Sequence, residues 1–235
     1  MERLDKILSS TGRWSRREVK DLIRAGRVTV NGLPARSPED KTEREAHIRV
    51  DGETVSCAQY TYLVLNKPAG LVSATADPRE PTVLSLLPEH LRKIGLFPAG
   101  RLDKDTVGLL LLTNDGALAH DLLAPKKHVD KTYLVGVEGT FDEADVTAFR
   151  EGLTLADGYT CLPAGLELLN ANQALVTLHE GKYHQIKRMC AARGKPVTFL
   201  KRLTFGPLRL DEDLTPGQWR ELTAEEVEGL RNSSK

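Results

Sequence analysis

The chain has 235 residues, 40% hydrophobic and 28% charged, with 33 basic side chains against 33 acidic ones. That composition excludes wholesale disorder and collagen-like order, and zero net charge means that a polyanion-binding surface must be a local patch. No apolar run approaches the ~20 residues that span a bilayer, and Met1-Glu2-Arg3-Leu4 opens no signal peptide. Cys57, Cys161 and Cys190 are odd in number and widely spaced, which predicts reduced, buried thiols and a cytoplasmic location.

The zero total hides three local biases. Residues 1–36 carry nine Lys/Arg against four acids, residues 182–202 carry seven Lys/Arg and no acid, and residues 211–235 carry seven acids against three basic residues. Two separated basic segments on a neutral chain suggest two contact regions for one polyanion, with solvated charged faces as the plain alternative.

Leu4, Ile7 and Leu8 stand at helical spacing, and Ser15-Arg16-Arg17-Glu18 reads as a capping box opening a second helix. Val19, Leu22 and Ile23 continue its buried stripe, Gly26 is placed to end it, and Arg16, Lys20 and Arg24 form a basic stripe on another face. Arg13 and Arg27 extend that stripe. Arg27-Val28-Thr29-Val30-Asn31-Gly32 predicts a strand running into an Asn-Gly turn, and His47–Gly52 a second strand after a charged loop. This stretch resembles the alpha-L type RNA-binding module over residues 1 to about 57. The resemblance implies phosphate contacts from its basic side chains, for which Arg3, Lys6, Arg13, Arg16, Arg17, Lys20, Arg24 and Arg27 are the candidates.

From Tyr60 onward short strands dominate. Tyr62–Leu65, Leu109–Leu112, Thr132–Val137, Cys161–Leu169 and Ala174–Leu178 are the predicted strands. Helices are predicted at Ala117–Leu123, Asp142–Glu151, His184–Arg193 and near the C-terminus. Without a regular βαβ alternation, residues 60–235 read as a second domain of α+β class with a mostly antiparallel sheet.

Gly100-Arg101-Leu102-Asp103-Lys104-Asp105 is a polar loop with two carboxylates, followed by a buried strand. It lacks the Gly-Lys-Ser/Thr of a phosphate loop and the ligand spacing of a calcium loop. His179 and His184 are five apart, not the four that place two zinc ligands on one helical face, and no G-x-S-x-G serine elbow is present. No metal site is expected.

Gly100-Arg101-Leu102-Asp103 resembles the catalytic signature of the pseudouridine synthases, specifically the branch carrying an alpha-L module and modifying bacterial ribosomal RNA. Leu65–Gly70, Gly108–Gly116, Lys131-Thr132-Tyr133 and Glu180–Met189 match in order and spacing. The resemblance implies isomerisation of a uridine, with no redox change, no group lost and no cofactor. It implies Asp103 as the covalent nucleophile, as a carboxylate serves in retaining glycosidases. Tyr133 would stack on the uracil and move a proton, and a basic residue would pair with Asp103 to keep it ionised, Lys187 first and Arg188 as the alternative. Arg101 would fill the stack left by a flipped uridine. Lys182, Tyr183, His184 and Arg188 are further RNA-contact candidates.

Tyr183-His184 stands where large-subunit modifiers carry Asn-Arg, and no long basic tail follows Trp219–Leu222. Both features resemble the form acting on small-subunit (16S) rRNA, which implies one uridine reached in a partly assembled particle by a monomeric enzyme away from membranes. A large-subunit (23S) substrate and a non-enzymatic assembly factor are the alternatives. The latter leaves the Asp103 loop unexplained. A tyrosyl-tRNA synthetase fragment or an RNA-binding heat-shock protein would share only the first domain.

Overall fold

The structure, a computed structural model, describes residues 1–233. Ser234 and Lys235, the end of the second expected domain, lie outside the described residues. The chain divides into two units, Met1–Thr61 with Leu84–Leu96, and Tyr62–Val83 with the chain from Phe97 onward.

In the first unit, helices Leu4–Ser9 and Arg16–Arg24 bury Leu4, Ile7, Leu8, Val19, Leu22 and Ile23 in one core. The Glu18 N–H donates to Ser15 Oγ at 3.3 Å and the Ser15 N–H donates to the Glu18 carboxylate at 2.6 Å, so the capping box forms. The expected hairpin grows into a four-stranded antiparallel sheet, ordered Leu33–Pro34, Val28–Val30, Ile48–Val50, Glu53–Thr54. Its two tight turns, Asn31-Gly32 and Asp51-Gly52, have positive φ at all four residues (50°, 81°, 54° and 80°), which only residues of this kind adopt cheaply. By contact, residues 84–96 do not group with the segments on either side of them. They group with the first unit, where the His90 carbonyl lies so close to Gly12 that a Cβ there would strike it.

In the second unit the main sheet runs Gly165–Leu168, Gln173–Leu178, Lys131–Val137, Val197–Phe205, Val107–Thr113, Tyr62–Lys67, Trp219–Glu221. Every pair on that path is antiparallel except Val197–Phe205 against Val107–Thr113, so the class is α+β with a mixed, mostly antiparallel sheet. The predicted strand Cys161–Leu169 shortens to Gly165–Leu168. Pro163 has no N–H for a ladder, and the Cys161 N–H turns aside to the Leu153 carbonyl. The central strand Val197–Phe205 was not predicted, because Lys201 and Arg202 interrupt its alternation and Arg202 occupies an inward position. At Gly108, φ is 99° and a Cβ would collide with the Arg202 backbone, so glycine lets the two parallel strands meet.

Helix Glu143–Glu151 is tied to the segment after helix Gln185–Ala192 through Asp145, which is fully buried. Burial alone would raise the Asp145 carboxyl, but Lys195 and Arg193 outweigh it and hold the group below its ordinary value. Asp145→Ala would leave Arg193 without its acid and Lys195 with Asp142 alone, and a loss of about 3 kcal/mol is expected in urea unfolding. A carboxyl depressed in the fold contributes stability above its unfolded pKa. That contribution is lost as pH falls through the lower folded value, so the wild-type advantage over Asp145→Ala should vanish in strong acid.

Candidate active site

Asp103 sits on the loop entering strand Val107–Thr113, and the backbone on both sides of it is anchored. Ser73 Oγ donates to the Leu102 carbonyl at 2.9 Å and accepts from the Leu102 N–H at 3.1 Å. Beyond Asp103, the fully buried ammonium of Lys67 lies 2.8–3.2 Å from the carbonyls of Pro68, Asp103, Lys104 and Thr106. Burial pulls the Lys67 ammonium down to about 8, against the smaller opposing pull of Asp105 and Asp103. The Gly70 N–H donates to the Lys104 carbonyl at 2.8 Å, closing the loop against the end of strand Tyr62–Lys67.

The carboxylate has a different basic side chain beside each oxygen. Lys187 Nζ lies 3.1 Å from Asp103 Oδ2, and His184 Nε2 lies 3.4 Å from Oδ1. Lys187 also donates to Asp105 Oδ1 at 2.6 Å. Burial opposes the Lys187 charge, but hydrogen bonds to Asp105 and Asp103 together raise its pKa, while Lys187 lowers that of Asp105. Both residues come from one helix start: His184 is the left-handed residue before Gln185–Ala192 (φ 49°), and Ile186, Met189 and Cys190 bury the helix's other side. Arg188, the alternative partner for Asp103, turns away to Asp157 at 2.5 Å.

Tyr133 projects from strand Lys131–Val137 into the same cavity, of about 750 Å³, as Asp103, Arg101, Lys182, Tyr183 and His184. Arg101 is exposed on its wall. Tyr183 is 72% exposed and stacks on His184 with ring centres 3.8 Å apart, and Lys182 lies over the Tyr159 ring at 5.2 Å. Glu180 is buried beneath, accepting from Tyr159 Oη at 2.7 Å, the Leu162 N–H at 2.9 Å and Gln185 Nε2 at 2.5 Å. His179 instead pairs with Asp130, so His179, Glu180 and His184 diverge. Among the described residues no group of three or more His, Cys, Asp or Glu is placed to hold a metal ion.

This loop, the tyrosine strand and the basic helix fall within residues 61–192, which match the RNA pseudouridylate synthase family, while residues 2–46 match the S4 domain. The chain belongs to the RNA pseudouridylate synthase family. It is 45% identical over 230 residues to an uncharacterised RNA pseudouridine synthase of Bacillus subtilis, covering 96% of both chains. It is 40% identical over 227 residues to the ribosomal small subunit pseudouridine synthase A of Escherichia coli, covering 96% of this chain and 98% of that one. A crystal structure of a pseudouridylate synthase aligns with 98% of this chain and 100% of its own, at TM-score 0.70 and 37% identity. The chain is an RNA pseudouridine synthase with an N-terminal S4 domain.

Sequence reasoning placed Asp103, Tyr133, Lys187 and Arg101 in the site; the fold brings Asp103, Tyr133 and Arg101 to one cavity and sets Lys187 against the Asp103 carboxylate. It missed Lys67, Ser73 and Asp105, and it read His184 as an RNA contact where the ring faces Asp103. A lysine ending the buried run Tyr62-Leu63-Val64-Leu65-Asn66-Lys67 was the available signal. In the S4 domain, Arg3 is bound by Asp5 and Glu39, Lys6 by Glu2, Arg24 by Asp21 and Arg27 by Asp51. Arg13, Arg16, Arg17 and Lys20 make no ion pair among the described residues.

Proposed function

We propose that this enzyme converts one uridine of small-subunit (16S) rRNA to pseudouridine, in the cytoplasm and within a partly assembled particle, with Asp103 as nucleophile and no cofactor. One observation carries the chemistry: a carboxylate on a braced loop, with Lys187 and His184 on its two oxygens, shares a cavity with Tyr133. Lys187 sits 3.1 Å from the carboxylate that attacks ribose C1′. Tyr133 supplies a ring on which a flipped uracil stacks, and Arg101, exposed on the cavity wall, fills the vacated stack.

The choice of small-subunit rRNA rests on the 40% identity to the Escherichia coli small-subunit enzyme and on the exposed Tyr183-His184 stack at the cavity mouth. Mapping pseudouridines in a strain lacking this protein tests it. One site should be lost from 16S rRNA, and loss from 23S rRNA alone would overturn the choice.

The S4 domain supplies affinity through phosphate contacts on its basic stripe. Neutralising Arg16, Lys20 and Arg24 together should flatten the slope of log K against log salt by roughly 0.7–0.9 per lost contact. The single-turnover rate at saturating RNA should change far less. An unchanged slope would mean that the module docks through another face.

A further inference from the structure

Two buried basic side chains at the back of the cavity make no ion pair with an acid among the described residues. Arg202 is 2% exposed, and its Nε–H donates to the Leu109 carbonyl at 2.7 Å. That is the one hydrogen bond of its side chain among the described residues, and Nη2 is buried without a partner. Lys131, 6% exposed, donates to the Val129 carbonyl at 2.6 Å. Both lie over one ring, with Arg202 Cζ 5.2 Å and Lys131 Nζ 5.1 Å from the Phe205 centre. The acid nearest in sequence, Asp130, is engaged by His179.

Buried charge without a counter-charge is costly, and an unpaired buried donor adds to the cost. The placement of these two residues gives the arrangement a use. Arg202 lies directly across the strand pair from Tyr133, Lys131 is two residues before Tyr133, and both line the cavity that holds Asp103. At such depth the ligand group is a base; a phosphodiester would meet Arg101 and Lys182, which are exposed.

We propose that Arg202 and Lys131 form the base-binding floor of the active site, holding the carbonyl oxygens of the target uracil and stabilising the negative charge it takes when its bond to ribose breaks. This rests on the assignment of Asp103 as nucleophile at C1′. As the bond from Asp103 Oδ to C1′ forms, the C1′–N1 bond breaks, and its electron pair stays on the uracil, spread over N1 and the carbonyl oxygens. After the base turns, C5 attacks C1′, the carboxylate departs with its electron pair, the C5 proton leaves to solvent and N1 gains one. Fixed cations aimed at charge that develops during a reaction accelerate it most where water is excluded. Burial, followed by the neighbouring Arg202, pulls the Lys131 ammonium down to about 8, against Asp130. An anionic base beside it would restore its charge.

The experiment compares uridine with 5-fluorouridine at the target position of the RNA, in single turnover at saturating enzyme. Fluorine withdraws electrons, so the fluorinated base departs with less help. Consumption of the nucleotide is read after nuclease digestion, counting rearranged product and covalent adduct together. Arg202→Gln should slow consumption of uridine by about 10²-fold with RNA affinity nearly unchanged, and by at least about tenfold less with 5-fluorouridine. Equal losses on the two bases, or no loss on uridine, would overturn the proposal. Lys131→Met, which conserves volume, carries the same comparison if Arg202→Gln does not fold. Asp103→Asn run in parallel separates the two readings. Inert Asp103→Asn with equal losses in Arg202→Gln removes this inference alone. Active Asp103→Asn, or an unaltered enzyme that leaves 5-fluorouridine untouched, removes the nucleophile assignment beneath it.

Discussion

Asp103→Asn is expected to fold and bind RNA as the unaltered enzyme does while losing at least about 10⁴-fold in single-turnover rate. The amide has the shape of the carboxylate, and the loop is braced independently of that side chain by Lys67 and Ser73. Lys187 retains Asp105 as a partner at 2.6 Å, so removing one carboxylate does not strand the ammonium. What disappears is the proposed nucleophile, since a neutral amide does not attack an oxocarbenium-like carbon. Rapid-quench measurement of pseudouridine formation, beside thermal unfolding and RNA affinity, checks all three statements. A variant that turned over at more than about a hundredth of the normal rate would show that Asp103 assists without attacking.

Lys67→Met should cost activity without touching any reacting group. The ammonium gathers four carbonyls around the turn that carries Asp103, and methionine fills the space with no donor. A shift of about 1 Å in a reacting carboxylate is worth on the order of 10²-fold in rate, and that loss is expected in kcat with KM little changed. The pH dependence of stability gives a second readout. Lys67 has a folded pKa of about 8, below its ordinary value. Between the two values the unfolded state binds more protons than the folded one, so stability rises with pH there. Below about 8 the full cost of burying the charge is present. Urea unfolding of the two proteins should therefore show the wild type gaining on Lys67→Met as pH rises from 8 towards 10. A constant difference would mean that the ammonium is not desolvated.

Much of the fold is written in local sequence. Ser15 and Glu18 cap a helix, Asn31-Gly32 sets a hairpin turn, and Leu109–Leu112 forms a buried strand, because each depends on neighbours a few residues away. Strand Val197–Phe205 was hidden for the opposite reason. Its inward Arg202 makes sense only beside Tyr133 and Gly108, which are distant in sequence. The site divides in the same way. Asp103, Tyr133 and Lys187 were legible because their motifs resemble a family. Lys67 and Ser73 act through backbone carbonyls and amides that no motif displays, and Lys67 reaches a loop more than thirty residues ahead of it. His184 was read by residue type as a contact for bases. Its left-handed backbone at the helix start turns it towards Asp103.

Tritium release tests most directly the proposed isomerisation of a uridine in small-subunit rRNA. When C5 becomes the glycosidic carbon its hydrogen must leave, so 5-tritiated uridine in the RNA reports the reaction and nothing that mere binding would do. Purified enzyme incubated with tritiated small-subunit particles at an early stage of assembly should release label to water up to one uridine per particle, and large-subunit particles should release none. Absence of release from small-subunit RNA, naked or assembled, together with release from large-subunit RNA would contradict the account.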